Sequence, residues 1–357
     1  MSGKVHTVAA RSASIAGNRN LHLDNARGLL IILVVAAHLL ESLLETSSLA
    51  RTTYVFVYSF HIPAFVVVSG YLSRSELTWP RFKALVLSVI LPYLILELLY
   101  TGLDFVVFSR SRFAPTLLTP YWLLWYLPSL FMWRLALPVL SRLKYPLLTA
   151  ALVAVVAGVL PQVGMWMSLS RTLVFLPFFI LGSVLARDGR ATAFVHPVIA
   201  VTVMLTGALI ALFVASDLDV RWLYGSQSYS RLVTGPAAGI TFRAILLLWA
   251  AAMTLAFLSL VPGRSSFLTR IGARSAYPYL LHGLVIMIVV GYVPDEPGLL
   301  ILGAMMAGAI ALATALSSDA AVKYTWLVVD PTSGRWDIVR SWFGRRPAPE
   351  GTVEMHG

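Results

Sequence analysis

Three ionisable residues fall on one side of the first apolar stretch of the chain. His38 follows the uninterrupted apolar run 29–37, Glu41 comes three residues later, and Arg27 precedes the run. Arg27 and His38 are eleven residues apart, close to three helical turns, so they project from nearly the same face about 16 Å apart along the axis. This spacing predicts a guanidinium that holds an anion at the membrane surface and an imidazole near the bilayer centre, with Glu41 as its carboxylate partner.

An ionisable side chain at the centre of a bilayer costs several kcal/mol, so it normally faces a cavity lined by protein or water. The simpler alternative is that His38 bonds a neighbouring helix and that Arg27 only anchors the membrane topology. That alternative does not require a common face, whereas Arg27, His38 and Glu41 share one. We therefore expect an intramembrane site with acid–base chemistry, and Glu45 extends the same stripe outward.

Two further histidines enter apolar stretches at comparable depth. His61 lies in FHIPAFVVVSG, about seven residues into the second stretch, and is a second catalytic candidate. His282 lies in YPYLLHG, close after Tyr277, and approaches from the opposite surface. A packing hydrogen bond is the alternative for both histidines, beside the helix-distorting Pro63 in the case of His61. The Ser69-Gly70 pair at the end of the second stretch predicts a close approach to another helix.

The segment 121–133, YWLLWYLPSLFMW, concentrates aromatic residues at one end of the fourth apolar stretch. An aromatic belt at the membrane interface is the ordinary interpretation. Aromatic faces also stack on sugar rings, so Trp122, Trp125 and Tyr126 are candidates for binding an acceptor.

Glu97 is a deep carboxylate in the third apolar stretch. Glu97 and the nearby Asp104 are predicted either to border the outer half of a cavity or to pair with Arg134 or Arg243. Glu97 and Glu45 are the acidic candidates for binding the acceptor. The chain has no cysteine, which excludes a thiolate nucleophile, disulfides and cysteine-ligated metals. We predict no metal site.

The composition indicates that these residues belong to a membrane protein. Apolar residues make up 58% of the chain and charged residues 12%, about half the charged fraction of soluble domains. Mean hydropathy is +0.81. These values predict an all-α polytopic membrane protein in contact with membrane lipids. The net charge of +11 does not indicate nucleic acid, because basic residues of membrane proteins mostly set topology in the loops.

Apolar windows predict about ten transmembrane helices. With the N-terminus inside, the inner segments hold 19 of the 27 Lys and Arg and the outer loops hold six, so both termini are predicted to be cytoplasmic. The expected organisation is a basic N-terminal segment 1–27, a membrane domain 28–318 and an interfacial tail 319–357, with no cleavable signal before the first span. The predicted spans are 28–46, 54–73, 83–108, 121–140, 147–161, 172–186, 197–215, 242–261, 275–293 and 299–318.

Four motifs in this order resemble the integral-membrane acyltransferase-3 family, particularly its fucose 4-O-acetylase-like branch. They are NARG with ten residues between Arg27 and His38, FHIPAFVVVSG, WYLPSL, and YPYLLH. The resemblance implies a ten-helix protein of the bacterial plasma membrane that transfers an acyl group, usually acetyl, to a hydroxyl of a cell-envelope carbohydrate or glycolipid.

Roles for individual residues follow from the resemblance. It implies acyl-CoA as a cytoplasmic donor substrate, with no tightly bound cofactor, and His38 as the general base on the acceptor hydroxyl. Arg27 and Arg74 would then contact the donor, together with Tyr277 and His282. Many relatives carry two arginines after the Ser-Gly motif, whereas SGYLSRSE contains only Arg74.

Two other functions compete with an enzyme. A transporter or flippase also uses intramembrane His and Glu as proton relays, although the two related halves common in transporters are not evident here. A catalytically silent family member would export or bind an envelope glycan. Hydrolysis or exchange of acetyl-CoA by the purified protein separates both from an acyltransferase.

Overall fold

The computed structural model of the protein describes residues 20–109, 111–164, 166–190, 194–232, 234–294 and 298–332, and no strand is found within these ranges. The predicted all-α polytopic architecture is confirmed. The part of the predicted interfacial tail that follows residue 332 lies outside the described residues. In chain order the helices are α1 (Leu21–Leu40), α2 (Ser48–Tyr58), α3 (His61–Tyr71), α4 (Trp79–Leu85), α5 (Leu91–Val107), α6 (Tyr126–Leu140), α7 (Pro146–Ala157), α8 (Leu169–Arg187), α9 (Pro197–Val214), α10 (Arg221–Tyr224), α11 (Pro236–Leu260), α12 (Phe267–Ala273), α13 (Ala276–Val289), α14 (Leu299–Leu316) and α15 (Asp319–Val329).

Eight helical segments within the described ranges are long and apolar enough to cross a membrane. A ninth arises if α12 and α13, which meet at 87°, count as one broken span, and α7 is a shorter apolar helix at the position of the fifth predicted span. The total of ten spans and the cytoplasmic termini remain predictions. The eight are Leu21–Leu43, Ser48–Tyr71, Trp79–Val107, Trp122–Leu140, Trp166–Arg187, Pro197–Val214, Pro236–Leu260 and Leu299–Leu316.

The first helix begins seven residues earlier than the predicted span. The side chain of Asn20 accepts a hydrogen bond from the backbone N–H of Leu23 (3.2 Å) and so caps the helix at its N-terminus. Residues 21–27, expected to belong to the N-terminal segment, are therefore part of α1. At the other end α1 tightens into a 3₁₀ turn over Glu41–Leu43.

Asn25 fixes the start of α1 to the connection between α11 and α12. Its buried side-chain amide donates to the carbonyls of Pro262 and Arg264, both at 2.7 Å, while its oxygen accepts from the hydroxyls of Ser266 (3.2 Å) and Thr269 (2.7 Å). All the hydrogen-bonding capacity of a buried amide is thus used. This network holds α12 against α1.

Close backbone contact joins α3 and α8. A Cβ atom on Gly70 would overlap the carbonyl of Phe179, and one on Gly182 would overlap the carbonyl of Val67. The predicted close helix approach at the Ser69-Gly70 pair is confirmed. It allows α8 to bring its first turn beside the second half of α1.

Different loops of the chain lie at the two ends of the bundle. The end that contains Arg27, here called the Arg27 side, also contains the loop 72–78 and the connection 261–275. The opposite end, the Glu41 side, contains the loops around 120, 165 and 220. Arg51 marks this second end, since its guanidinium hydrogen-bonds the carbonyls of Leu44, Ala215 and Leu218.

The two ends provide a test of topology, and the absence of native cysteine makes labelling clean. Ser216 on the Glu41 side and Ser265 on the Arg27 side are both exposed, whereas Ser228 in the same outer loop is only 1% exposed and unsuited to labelling. In intact cells an impermeant thiol reagent is expected to label Ser216→Cys and not Ser265→Cys. Labelling of Ser265→Cys from outside would contradict cytoplasmic termini.

Candidate active site

The carboxylate of Glu41 connects α1 to the segment that precedes α6. One oxygen of Glu41 accepts hydrogen bonds from His38 Nδ1 and from Trp122 Nε1, each at 3.1 Å. The His38 ring also packs edge-on against Trp122, with 4.6 Å between the ring centres. Because Nδ1–H donates to the carboxylate, Nε2 is the nitrogen that can accept a proton.

His38 faces a narrow cavity in the centre of the bundle, here called the His38 cavity. Its volume is about 40 Å³, close to that of one water molecule. Side chains from five other segments form its walls, so it is a meeting point of helices that lie far apart in sequence. The polar and aromatic residues on these walls include Tyr58, Trp125, Tyr126, Arg171, Tyr224 and Tyr279.

The structure brings the two other candidate histidines close to His38. The ring of His282 lies 5.3 Å from that of His38, centre to centre. Its Nδ1 donates to the carbonyl of Pro278 at 2.7 Å, while its buried Nε2 has no hydrogen-bond partner among the described residues. His61 donates from Nδ1 to the carbonyl of Val57 at 2.9 Å and packs against Tyr58. It therefore lies behind the wall of the His38 cavity.

Arg27 lies on the same helix as His38, toward the Arg27 side, as the spacing predicts. Its guanidinium donates twice to the hydroxyl of Ser275 (3.1 and 2.8 Å) and lies 3.5 Å from Asp24. About a quarter of its side chain is exposed. It also interacts electrostatically with Tyr126, a residue of the His38 cavity wall. Arg27 and His38 thus lie on one helix, with Arg27 toward the Arg27 side and His38 at the central cavity.

Arg74 lies in a basic depression on the Arg27 side. Two adjoining cavities, about 440 and 350 Å³ in volume, share Ser73, Arg74, Glu76 and Arg81. Arg134 reaches the smaller one from α6 and donates to the hydroxyl of Ser73 at 3.3 Å. Arg74 itself is exposed. Tyr277, by contrast, is 7% exposed and packs in the hydrophobic core.

The two acidic candidates for the acceptor site are not brought to the His38 cavity. Glu45 is exposed on the Glu41 side and pairs with Arg51 at 3.3 Å. Glu97 is fully buried and accepts from the backbone N–H of Tyr121 at 2.9 Å. In the described part of the chain neither predicted arginine pairs with Glu97: Arg134 bonds Ser73, and Arg243 bonds the carbonyl of Trp222 at 2.8 Å.

The aromatic candidates line the interior of the bundle. Trp125 and Tyr126 both border the His38 cavity, and the Tyr126 hydroxyl hydrogen-bonds that of Ser69 at 2.7 Å. Glu97 stabilises the start of this segment through Tyr121. Aromatic residues whose sequence pattern is typical of a membrane-interface belt therefore form part of the wall of the His38 cavity.

Arg171 belongs to this site, although the sequence analysis did not single it out. It lies in the first turn of α8, borders the His38 cavity and stacks over the ring of Trp125 at 4.9 Å. In the sequence it directly precedes the predicted span 172–186, where it counts as one of several loop arginines. Only the packing of α8 against the central helices distinguishes it.

These features define a polytopic membrane protein with an acid–base pair at a central cavity. Comparison with known families gives its place among such proteins: an acyltransferase domain model matches residues 20–318. The chain belongs to the acyltransferase-3 family.

Two curated relatives carry the name nodulation protein NolL. The protein from Mesorhizobium japonicum is 29% identical over 186 residues, which cover 48% of each chain. The protein from Sinorhizobium fredii is 29% identical over 187 residues, 48% of this chain and 50% of the relative. The chain thus spans about half the length of these relatives, and no solved structure matches it. The family supports an acyltransferase.

The hydrogen bond from Trp122 to Glu41 generates a specific prediction. Trp122→Phe keeps an aromatic ring against His38 but removes the donor that holds Glu41. Loss of a hydrogen bond to a charged group is worth roughly 1.5–3 kcal/mol, so acyltransferase activity in membranes should fall about tenfold or more. Trp166→Phe, at a tryptophan that is 66% exposed, is the matched control. Equal activities of the two variants would contradict a role for this bond.

Proposed function

We propose that the protein is an O-acyltransferase of the bacterial plasma membrane. It moves an acyl group, acetyl in the simplest case, from cytoplasmic acyl-CoA to a hydroxyl of a cell-envelope carbohydrate or glycolipid. The observation that carries the proposal is the orientation of His38: Glu41 engages Nδ1, so that Nε2 is available as a base at the central cavity. The family match supports acyl transfer as the reaction.

The reaction follows from this orientation. His38 Nε2 takes the proton of the acceptor hydroxyl as its oxygen attacks the thioester carbonyl carbon, and the carbonyl electron pair moves to oxygen. The Glu41 carboxylate stabilises the imidazolium that forms. The tetrahedral intermediate collapses, the C–S bond breaks, and the CoA thiolate receives the proton from His38. The ester and free CoA are the products, and the histidine returns to its neutral state.

The donor approaches from the Arg27 side. The phosphates of CoA are multiple anions, and arginine binds phosphate with paired, charge-assisted hydrogen bonds. Arg74 lies in the basic depression, and Arg27 lies on the same side of the bundle, on the helix that carries His38. An extended thioester arm laid along this face of α1 would carry the acyl group toward His38. Acyl-CoA is a substrate here, so the reaction needs no tightly bound cofactor.

The acceptor approaches from the Glu41 side. Trp122, Trp125 and Tyr126 offer aromatic faces close to His38, and such faces suit the apolar surface of a sugar ring. His282, the expected donor contact, has its ring beside that of His38, where the acyl group of the donor would arrive. Donor and acceptor then meet at His38 without either crossing the membrane.

A transporter or flippase is the alternative, because intramembrane His and Glu also serve proton relays. A silent family member that exports an envelope glycan is another. Detergent-purified protein that hydrolyses or exchanges acetyl-CoA would support the enzyme, whereas the alternatives predict neither reaction.

His38→Ala tests the base directly. The expected result is a loss of acyl transfer on the order of 10²–10⁴-fold, the usual contribution of general base catalysis, with membrane insertion intact. His196→Ala is the control, because His196 is exposed at the start of α9. Activity above about a tenth of the wild-type value in His38→Ala would exclude this role.

Arg27→Lys tests the donor side. Lysine retains the charge but cannot make the paired hydrogen bonds of a guanidinium. Loss of one charge-assisted contact costs roughly 1.5–3 kcal/mol, so the KM for acyl-CoA should rise about tenfold to hundredfold, more than the KM for acceptor. Arg142→Lys, at an exposed arginine, should change neither. An unchanged donor KM in Arg27→Lys would identify Arg27 as a topology anchor.

A further inference from the structure

A second cavity lies on the Glu41 side, next to the His38 cavity. Its volume is about 200 Å³, and we call it the Glu41-side cavity. Arg171 borders both cavities. Trp122 borders the Glu41-side cavity and contacts the His38 ring. The other polar side chains on its wall are Ser168, Ser170 and Ser226.

Arg171 occupies the junction with its hydrogen-bonding capacity unused. Among the described residues its guanidinium makes no hydrogen bond and no ion pair; it stacks on Trp125 and interacts electrostatically with Glu41. A guanidinium has five N–H donors. Arg171 is only partly exposed, and a cation inside a membrane protein without hydrogen-bond acceptors is costly and commonly marks a ligand pathway. The acceptors are therefore expected from a ligand that enters one of the two cavities.

The chemistry of the wall indicates a hydroxyl-rich ligand. Arg171 is the charged side chain on this wall, and the remaining hydrogen-bonding side chains besides Trp122 are serines. Serine hydroxyls both donate and accept hydrogen bonds, which matches the hydroxyls of a sugar. Trp122 adds an aromatic surface at the same wall.

The backbone of this wall is held in an unfavourable conformation. Trp122, Met167 and Ser168 have φ values of 38°, 45° and 56°, which place three non-glycine residues in the left-handed region. The N–H of Met167 donates to the carbonyl of Leu118 at 2.6 Å and so connects the two loops. Such strain concentrates at functional sites, where surrounding structure maintains it. The shape of the cavity is therefore specified by the fold.

We propose that the Glu41-side cavity binds the carbohydrate part of the acceptor and that Arg171 directs the acceptor hydroxyl to His38. The inference rests on the proposed acyltransferase function and adds to it the acceptor site and its main polar contact. In this arrangement the sugar lies between the serines and Trp122, and one hydroxyl passes Arg171 to reach Nε2 of His38.

Arg171→Gln tests the proposal through two reactions of radiolabelled acetyl-CoA. The first is transfer of the acetyl group to lipid- or glycan-bound material in native membranes, and the second is hydrolysis by solubilised protein, with water as acceptor. We expect the ratio of transfer to hydrolysis to fall at least about tenfold, the effect of losing a charge-assisted contact. Arg231→Gln, at an exposed arginine on the same side, should leave the ratio at the wild-type value.

The two reactions also separate the possible failures. Equal losses of transfer and hydrolysis leave the ratio unchanged; they would place Arg171 at the donor chemistry and overturn an acceptor role. Wild-type rates of both reactions in Arg171→Gln would overturn it as well. A wild-type protein that neither transfers nor hydrolyses the acetyl group would overturn the proposed function itself.

A cysteine at the cavity wall gives an independent test that does not alter Arg171. Gly164 borders the cavity and is partly exposed, and a Cβ atom added there meets nothing within 4 Å. Gly164→Cys therefore places a thiol at the wall, and the native chain has no cysteine. A sulfonate-bearing methanethiosulfonate reagent, added from outside and verified by mass, should lower the transfer-to-hydrolysis ratio at least about tenfold relative to the same protein before labelling. Labelled Ser216→Cys is the control. Failure of Gly164→Cys to react, or an unchanged ratio after labelling, would overturn the proposal.

Discussion

The carboxylate of Glu41 is the group on which the central arrangement depends. It stands where α1 tightens into its last turn, and one of its oxygens receives both the His38 imidazole and the Trp122 indole. A carboxylate in this position satisfies two donors, fixes the histidine tautomer and ties the α6 segment to α1. Without Glu41, no carboxylate would hold the proton on Nδ1 of His38. Trp122 would also lose its hydrogen bond to the end of α1.

This junction is effective because α1 is held at both ends. Asn25 saturates its hydrogen bonds with the connection that leads into α12, and Arg51 joins the chain just beyond α1 to the carbonyls at 215 and 218. A helix fixed in this way cannot rotate to carry His38 off the cavity. With α1 held in place, residues far apart in sequence, such as His38, Arg171 and His282, come together at the centre of the bundle.

Periodicity and polarity in the sequence predict the helical membrane fold, the shared helix of Arg27 and His38, the Glu41 partner and the close approach at Gly70. They do not predict the start of α1, because a capping residue and not hydropathy determines it. They also miss Arg171, since a lone cation beside an apolar run has the same pattern whether it faces water or the protein interior. Glu97 illustrates the converse. A carboxylate deep in an apolar stretch suggests a binding site, yet Glu97 accepts a hydrogen bond from the backbone N–H of Tyr121.

The small volume of the His38 cavity has a consequence for the membrane as a barrier. The His38 cavity offers space for about one water molecule, and Ile62, Phe65 and Leu123 are among the side chains that line it. A continuous water-filled passage through the bundle would short-circuit the ion gradients that the membrane stores. If donor and acceptor meet at His38 as proposed, so narrow a cavity lets them react without such a passage.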